Sequence, residues 1–178
     1  MATEGLAFSP QAKDHIRELL GRYRDRRAAL IPALWVAQRE FGWVSREAMQ
    51  LVAAELDIPE AWVYSTATFY TMFNKRPIGK NHIQVCTNIA CYLRGADDLM
   101  DVVKQELGIG HGETTEDGQF HCESVQCLAA CGYAPAMQIG QEDHFNVTPD
   151  QLRTLIREIR GASPSAPPPM PAGGSADA

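Results

Sequence analysis

The chain has 178 residues, 45% of them hydrophobic and 21% charged, with 16 Lys and Arg against 22 Asp and Glu for a formal charge of −6. That length suits one full core or two small ones in a globular protein, and the acidic balance argues against nucleic acid as the main partner. The longest apolar stretch, Ala28 to Ala37, is interrupted by Pro32 and falls well short of the roughly 20 residues that span a bilayer.

The opening residues, Met1 to Pro10, carry no basic, apolar or Arg-rich amphipathic leader pattern, so a cytoplasmic protein is expected. Ser9-Pro10 reads as an N-cap with Pro at the first helical position, and Ile16, Leu19, Leu20 and Tyr23 follow at helical spacing. A second helix is expected from Arg26 to Phe41, with Leu30, Leu34 and Val36 inside it and Gly42 suited to the left-handed turn that ends helices. Ser45 can cap a third helix reaching about Leu56. Pro59 can open a fourth at its N1 position, running through Trp62 and Ala67 to about Tyr70. Residues 9–73 thus read as a helical bundle.

Pro77 and Gly79 then break the helical pattern, and His82 to Val85 alternates polar and apolar residues as a half-buried strand does. A helix from about Ala96 to Leu107 follows, then a Gly-rich loop from Gly108 to Gly118. Strands are expected at Gln119 to Gln126, Ala136 to Ile139 and His144 to Val147. Thr148-Pro149-Asp150 supplies a cap, an N1 proline and a first-turn acid for a last helix, whose apolar face is Leu152, Leu155, Ile156 and Ile159. The order is that of a small α/β sandwich over residues 79–160, so the chain as a whole is expected to be α+β with two modules. Residues 161–178, rich in Pro, Ala, Gly and Ser, hold too little apolar surface to offset the entropy of ordering and are expected to be disordered.

Five cysteines without a secretory leader argue against a disulfide framework and for metal or redox chemistry in a reducing compartment. Cys86 and Cys91 form a C-x4-C pair after one expected strand, and Cys127 and Cys131 a C-x3-C pair after another, so all four can meet at one end of a sheet. Two irons bridged by two sulfides take two thiolates each, which matches the count. Ala90, Gly95, Ala129, Ala130 and Gly132 would let backbone N–H groups approach the sulfurs. Structural zinc also accepts four thiolates but most often uses C-x2-C knuckles, and thiol–disulfide exchange uses C-x-x-C. Neither spacing occurs here; the spacing favours iron and sulfide and leaves both alternatives open.

The words around these cysteines carry a resemblance. They are Ala67-Thr-Phe-Tyr-Thr-Met-Phe73, Pro77-x-Gly79-Lys80, Ile83-x-Val85-Cys86-Thr87-x3-Cys91-x-Leu93-Arg94-Gly95, and Cys127-Leu128-x2-Cys131 followed by Ala134-Pro135. Over about residues 9–160 the chain resembles the 2Fe-2S thioredoxin-like subunit of respiratory NADH:quinone oxidoreductase (complex I). The resemblance implies a helical bundle followed by a thioredoxin-like domain, with Cys86, Cys91, Cys127 and Cys131 as the ligands of one 2Fe-2S cluster. It implies a place on the peripheral arm of a membrane complex, beside a flavin-bearing, NADH-oxidising partner that holds the FMN and NADH sites. Similar modules serve NAD-linked hydrogenases and formate dehydrogenases, which leaves the host open. Position 129 is Ala where the family commonly has Gly. If that position needs a positive φ, the methyl costs about 1 kcal/mol.

The remaining reactive residues have plainer readings. Cys122 lies in an expected strand without a partner at ligand spacing and reads as a buried small hydrophobe. His15, His82, His111, His121 and His144 contain no i, i+4 pair, which argues against a second metal site. Arg22, Arg24, Arg26 and Arg27 read as a solvated face or as cations at the first helix's C-terminal end. Trp35, Trp43, Trp62, Phe69, Tyr70 and Phe73 read as the helical module's core and its contact with the second module, with some as interface anchors.

Overall fold

The computed structural model describes residues 6–161, and the chain divides after Lys80 into two compact units. In the first, helix α1 (Pro10–Arg22) starts where expected: the Ser9 hydroxyl accepts from the Ala12 N–H at 3.2 Å, satisfying one of the free donors of the first turn. Ile16 and Leu19 are buried, but Tyr23 lies past the helix end in extended backbone and is exposed.

The second expected helix has two parts. Arg26–Ala29 is a single 3-10 turn capped by Asp25, and α2 (Leu30–Phe41) then runs to Gly42, whose φ of +79° is the left-handed stop that glycine suits. Helix α3 (Arg46–Leu56) is capped by Ser45, which accepts from the Ala48 N–H at 3.1 Å. Helix α4 (Glu60–Phe69) begins one residue later than expected, with Pro59 as its extended N-cap and not its N1 residue.

Ile16, Leu34, Val44, Val52, Leu56 and Phe73 are fully buried and form the centre of this unit. Gln38 ties the segment after α4 to α2: its amide donates to the Met72 carbonyl at 3.0 Å and accepts from the Asn74 N–H at 2.6 Å.

One expectation for this unit needs correction. Phe73 is buried and meets Trp35 edge-on at 5.6 Å, but Trp62, Phe69 and Tyr70 are exposed, Phe69 at 77%. Helix α4 turns the small stripe of Val63 and Ala67 into the bundle, and on a 3.6-residue period that sends its large rings outward. The basic cluster Arg22, Arg24, Arg26 and Arg27 is exposed, as a solvated face is, with Arg22 in the last turn of α1; Arg26 also donates to the Leu56 carbonyl at 3.2 Å and lies 3.7 Å from Asp57, at the carbonyl end of α3. Arg27 stacks 3.9 Å over the Trp62 ring.

The second unit is a five-stranded sheet with helices. Its elements are β1 (Asn81–Cys86), α5 (Ile89–Leu93), α6 (Ala96–Leu107), β2 (Glu113–Thr114), β3 (Phe120–Val125), β4 (Met137–Ile139), β5 (Glu142–His144) and α7 (Pro149–Gly161), and the strand order is β2-β3-β1-β4-β5. Strands β1 and β3 are parallel, joined by a crossover that includes α6, and the other pairings are antiparallel. Ile83, Val85, Phe120, Cys122 and Met137 from the sheet join Leu99 and Val103 of α6 and Leu152 and Ile156 of α7 in one buried cluster. Helix α7 opens on a capping box: the Thr148 hydroxyl accepts from the Gln151 N–H at 3.3 Å, and the Gln151 side chain accepts from the Thr148 N–H at 2.8 Å.

The last strand lies earlier than the expected His144 to Val147, because Asn146 takes φ +50° and breaks extended backbone there. The short α5 and the two-residue β2 inside the Gly-rich loop were not expected. Of the tail expected over 161–178, Gly161 closes α7 and the rest lies outside the described residues.

Candidate metal centre

The parallel pairing of β1 with β3 fixes where the cysteines go. Cys86 is the last residue of β1 and stands in register with Val125, the last residue of β3, so both chains leave the sheet at the same end. The Thr87 N–H donates to the Val125 carbonyl at 3.0 Å and holds the two exits together one residue further. Cys91 returns on α5, whose start is set by Asn88. Cys127 comes two residues after β3, and Cys131 opens a 3-10 turn, Cys131–Tyr133. The four cysteines flagged by spacing therefore lie on segments at or just beyond one end of the β1–β3 pair, and Cys122, inside β3, does not.

The environments of the four differ. Cys86 and Cys91 are 3% and 2% exposed, whereas Cys127 and Cys131 are exposed. Burial pushes the Cys91 thiol up from its ordinary value, helped by the neighbouring Cys86 and Cys131, while a backbone hydrogen bond at Ala136 pulls it down. The interaction of Cys91 with both Cys86 and Cys131 brings the two pairs into one electrostatic neighbourhood. Cys127 Sγ accepts from the Ala129 N–H at 3.1 Å, and Cys86 Sγ lies 3.9 Å from the Gln126 carbonyl.

Among the described residues no three His, Cys, Asp or Glu side chains are gathered tightly enough to hold a metal ion, so the four thiols form an open set. The donor chemistry fits a 2Fe-2S core: four sulfurs, two on the arm of each strand, and a backbone N–H already directed at one of them.

Cys122 is fully buried in β3 beside Ile83, and burial, with Glu123 and Glu113 adding to it, pushes its thiol up to about 12. A thiol held neutral in a core is inert, as its sequence context implied.

Two features of this unit are not evident from the sequence. Ala129 takes φ +56°, and the only pointer in the sequence was an alanine where a glycine is usual. His82 and His121 are register partners on β1 and β3 with rings 5.1 Å apart, a pairing across strands that no i, i+4 search finds. His82 Nε2 stands 3.2 Å from the Glu123 carboxylate, and His121 Nδ1 is 2.8 Å from the Thr114 hydroxyl.

The sequence profile of the thioredoxin-like 2Fe-2S ferredoxins matches residues 16–160. The chain is 42% identical to an E-type NADH-quinone oxidoreductase subunit of Rhizobium meliloti, over 84% of its own length and 89% of that protein. It is 44% identical to the E-type NADH-quinone oxidoreductase subunit of Rickettsia bellii, over 76% of this chain and 81% of that one. Among solved structures, an NAD+-reducing nickel-iron hydrogenase in its air-oxidised state shares the fold. Its TM-score is 0.65 at 21% identity, over 74% of this chain and 22% of that one. The helical unit followed by the mixed sheet is thus the α+β arrangement expected of a thioredoxin-like iron–sulfur protein. With a profile match over most of its length and relatives above 40% identity, the chain belongs to the thioredoxin-like 2Fe-2S ferredoxin family.

Proposed function

We propose that this chain is the electron-transfer subunit of an NADH:quinone oxidoreductase, with Cys86, Cys91, Cys127 and Cys131 as the four ligands of one 2Fe-2S cluster. The observation that carries the reading is the exit of both cysteine arms from one end of the parallel β1–β3 pair, in a chain of a 2Fe-2S family. When bound, such a cluster stores and releases one electron at a time. The protein's part is to hold it and set its surroundings. Cys86 and Cys91 close off its inner side from water, and the Ala129 N–H faces the negative charge at Cys127.

FMN and NADH belong, in this reading, to a flavin-bearing partner that oxidises NADH and passes single electrons across the exposed Cys127 and Cys131 face. Among the described residues no helix is long and apolar enough to cross a membrane. The proposal accordingly puts the chain on the cytoplasmic, peripheral arm of its complex, attached through partners.

Dithionite reduction of anaerobically purified, iron-replete protein is expected to give a 2Fe-2S EPR signal, with equal iron and acid-labile sulfide. A colourless protein that binds zinc would replace the proposal with a stapled interaction module. The names of the relatives favour the quinone-reducing host. Co-purification with a soluble hydrogenase or formate dehydrogenase would move the same cluster to another complex.

A further inference from the structure

Among the described residues three non-glycine positions have positive φ: Asp57 at +52°, Asn146 at +50° and Ala129 at +56°. Asp and Asn enter that region with help from short polar side chains that bond locally. Alanine has no such help, and its Cβ is crowded by the backbone there. Strain of this kind persists where the surrounding structure uses the conformation. Side-chain packing does not account for it, since Ala129 is exposed. The backbone does: with the chain held on either side, ψ of Leu128 and φ of Ala129 turn one shared peptide plane, and in this setting its N–H points two residues back, at Cys127 Sγ, 3.1 Å away. Cys86 is treated differently, with a carbonyl, that of Gln126, 3.9 Å from its sulfur. An acceptor there does nothing for a thiolate, whereas an N–H donor stabilises one.

We infer that Ala129 is a positioning residue that sets the reduction potential of the cluster, by directing its backbone N–H at the Cys127 sulfur. The inference rests on the four-thiolate reading above. One electron, supplied by a reduced flavin or by dithionite, takes the core and its four thiolates from a net charge of 2− to 3−. No covalent bond forms or breaks, and no proton is required. A donor directed at a ligand sulfur stabilises the more negative state more strongly, so losing it makes reduction harder.

The test is an EPR-monitored redox titration of the intact iron–sulfur protein with four replacements at position 129. Ala129→Gly and Ala129→Asn keep the left-handed backbone and the N–H. Both are expected to leave the midpoint potential unchanged, and Ala129→Gly to raise the thermal unfolding midpoint. Ala129→Val, whose β-branched side chain excludes that region, turns the N–H away and is expected to shift the potential to more negative values. Replacing residue 129 by the α-hydroxy acid counterpart of alanine removes only the N–H and should shift it in the same direction. If Ala129→Val loses the cluster altogether, the α-hydroxy acid variant decides. A parent potential in that variant, with cluster content intact, overturns the inference, as does a shift in Ala129→Gly equal to that in Ala129→Val. Absence of a 2Fe-2S signal from the unaltered protein would instead overturn the four-thiolate reading itself.

Discussion

The two cysteine arms leave the same end of one sheet, yet they are supported in opposite ways. Cys86 and Cys91 stand on regular elements, the last residue of β1 and the middle of α5, and both belong to the buried cluster of the second unit. Cys127 and Cys131 stand on a loop and a 3-10 turn, are exposed, and have a strained alanine between them. A thiol inside a core contributes packing with or without a ligand. An exposed thiol contributes almost nothing to stability until something binds it. Two pairs that look alike in the sequence therefore carry different structural duties, and substitutions can separate them.

The sharpest separation compares Cys91→Ser with Cys127→Ser. Each is expected to abolish the 2Fe-2S EPR signal, since each removes one of the four proposed ligands. In urea unfolding of the metal-free protein the two should part company. Cys91→Ser buries a hydroxyl where a neutral thiol sat and should cost about 1–3 kcal/mol. Cys127→Ser changes an exposed position and should stay within about 0.5 kcal/mol of the parent. Equal losses in the two variants would mean that the exposed arm is as much a part of the fold as the buried one.

Cys122 supplies the reverse control, a buried thiol outside the proposed ligand set. It is fully buried, and its thiol is pushed up to about 12. Cys122→Ser is expected to cost about 1–3 kcal/mol of stability, like Cys91→Ser, while the EPR line shape of the reduced protein stays as in the parent. Loss of the cluster in this variant would show that ligation is not confined to the four cysteines at the sheet end.

The sequence made the support of each arm legible only in part. Ser9, Ser45 and Thr148 announced three helix starts because a cap is a local event, settled by one side chain and the N–H groups two or three residues on. The exit of both cysteine arms from one sheet end was legible too, since two strands joined by a crossover helix run parallel and end together. Helix α5 was not, because five residues, Ile89–Leu93, are too few for a 3.6-residue period to show. The displacement of β5 turned on the backbone of Asn146, and asparagine permits both extended and left-handed conformations. The exposure of Trp62, Phe69 and Tyr70 depended on which face of α4 met the bundle, and an apolar helix with large rings on one side and small residues on the other does not declare that. Register was the last missing piece, because it alone makes His82 and His121 neighbours.

That histidine pair lets β1 be compared with itself, since Cys86 ends the strand and His82 lies near its start. Burial holds His82 below its ordinary value and the adjacent His121 adds to this, against a weaker upward pull from Glu123. The folded chain therefore keeps His82 neutral at pH values where the unfolded chain has protonated it. The unfolded state binds more protons across that interval, so stability falls with falling pH. The contribution is fully present above the unfolded value of about 6.5 and is lost as pH drops through the folded value beneath it. His82→Gln is expected to flatten the decline of the urea midpoint between about pH 7 and pH 5.5. His121→Gln should flatten it less, by removing one of the two forces that depress His82. Neither should alter the EPR spectrum at neutral pH, because the pair lies at the other end of the strand from Cys86. Parallel declines in parent and His82→Gln would shift the acid sensitivity to the carboxylates. A changed spectrum would mean that the two ends of β1 are coupled, and that the thiol end answers to pH as well as to iron.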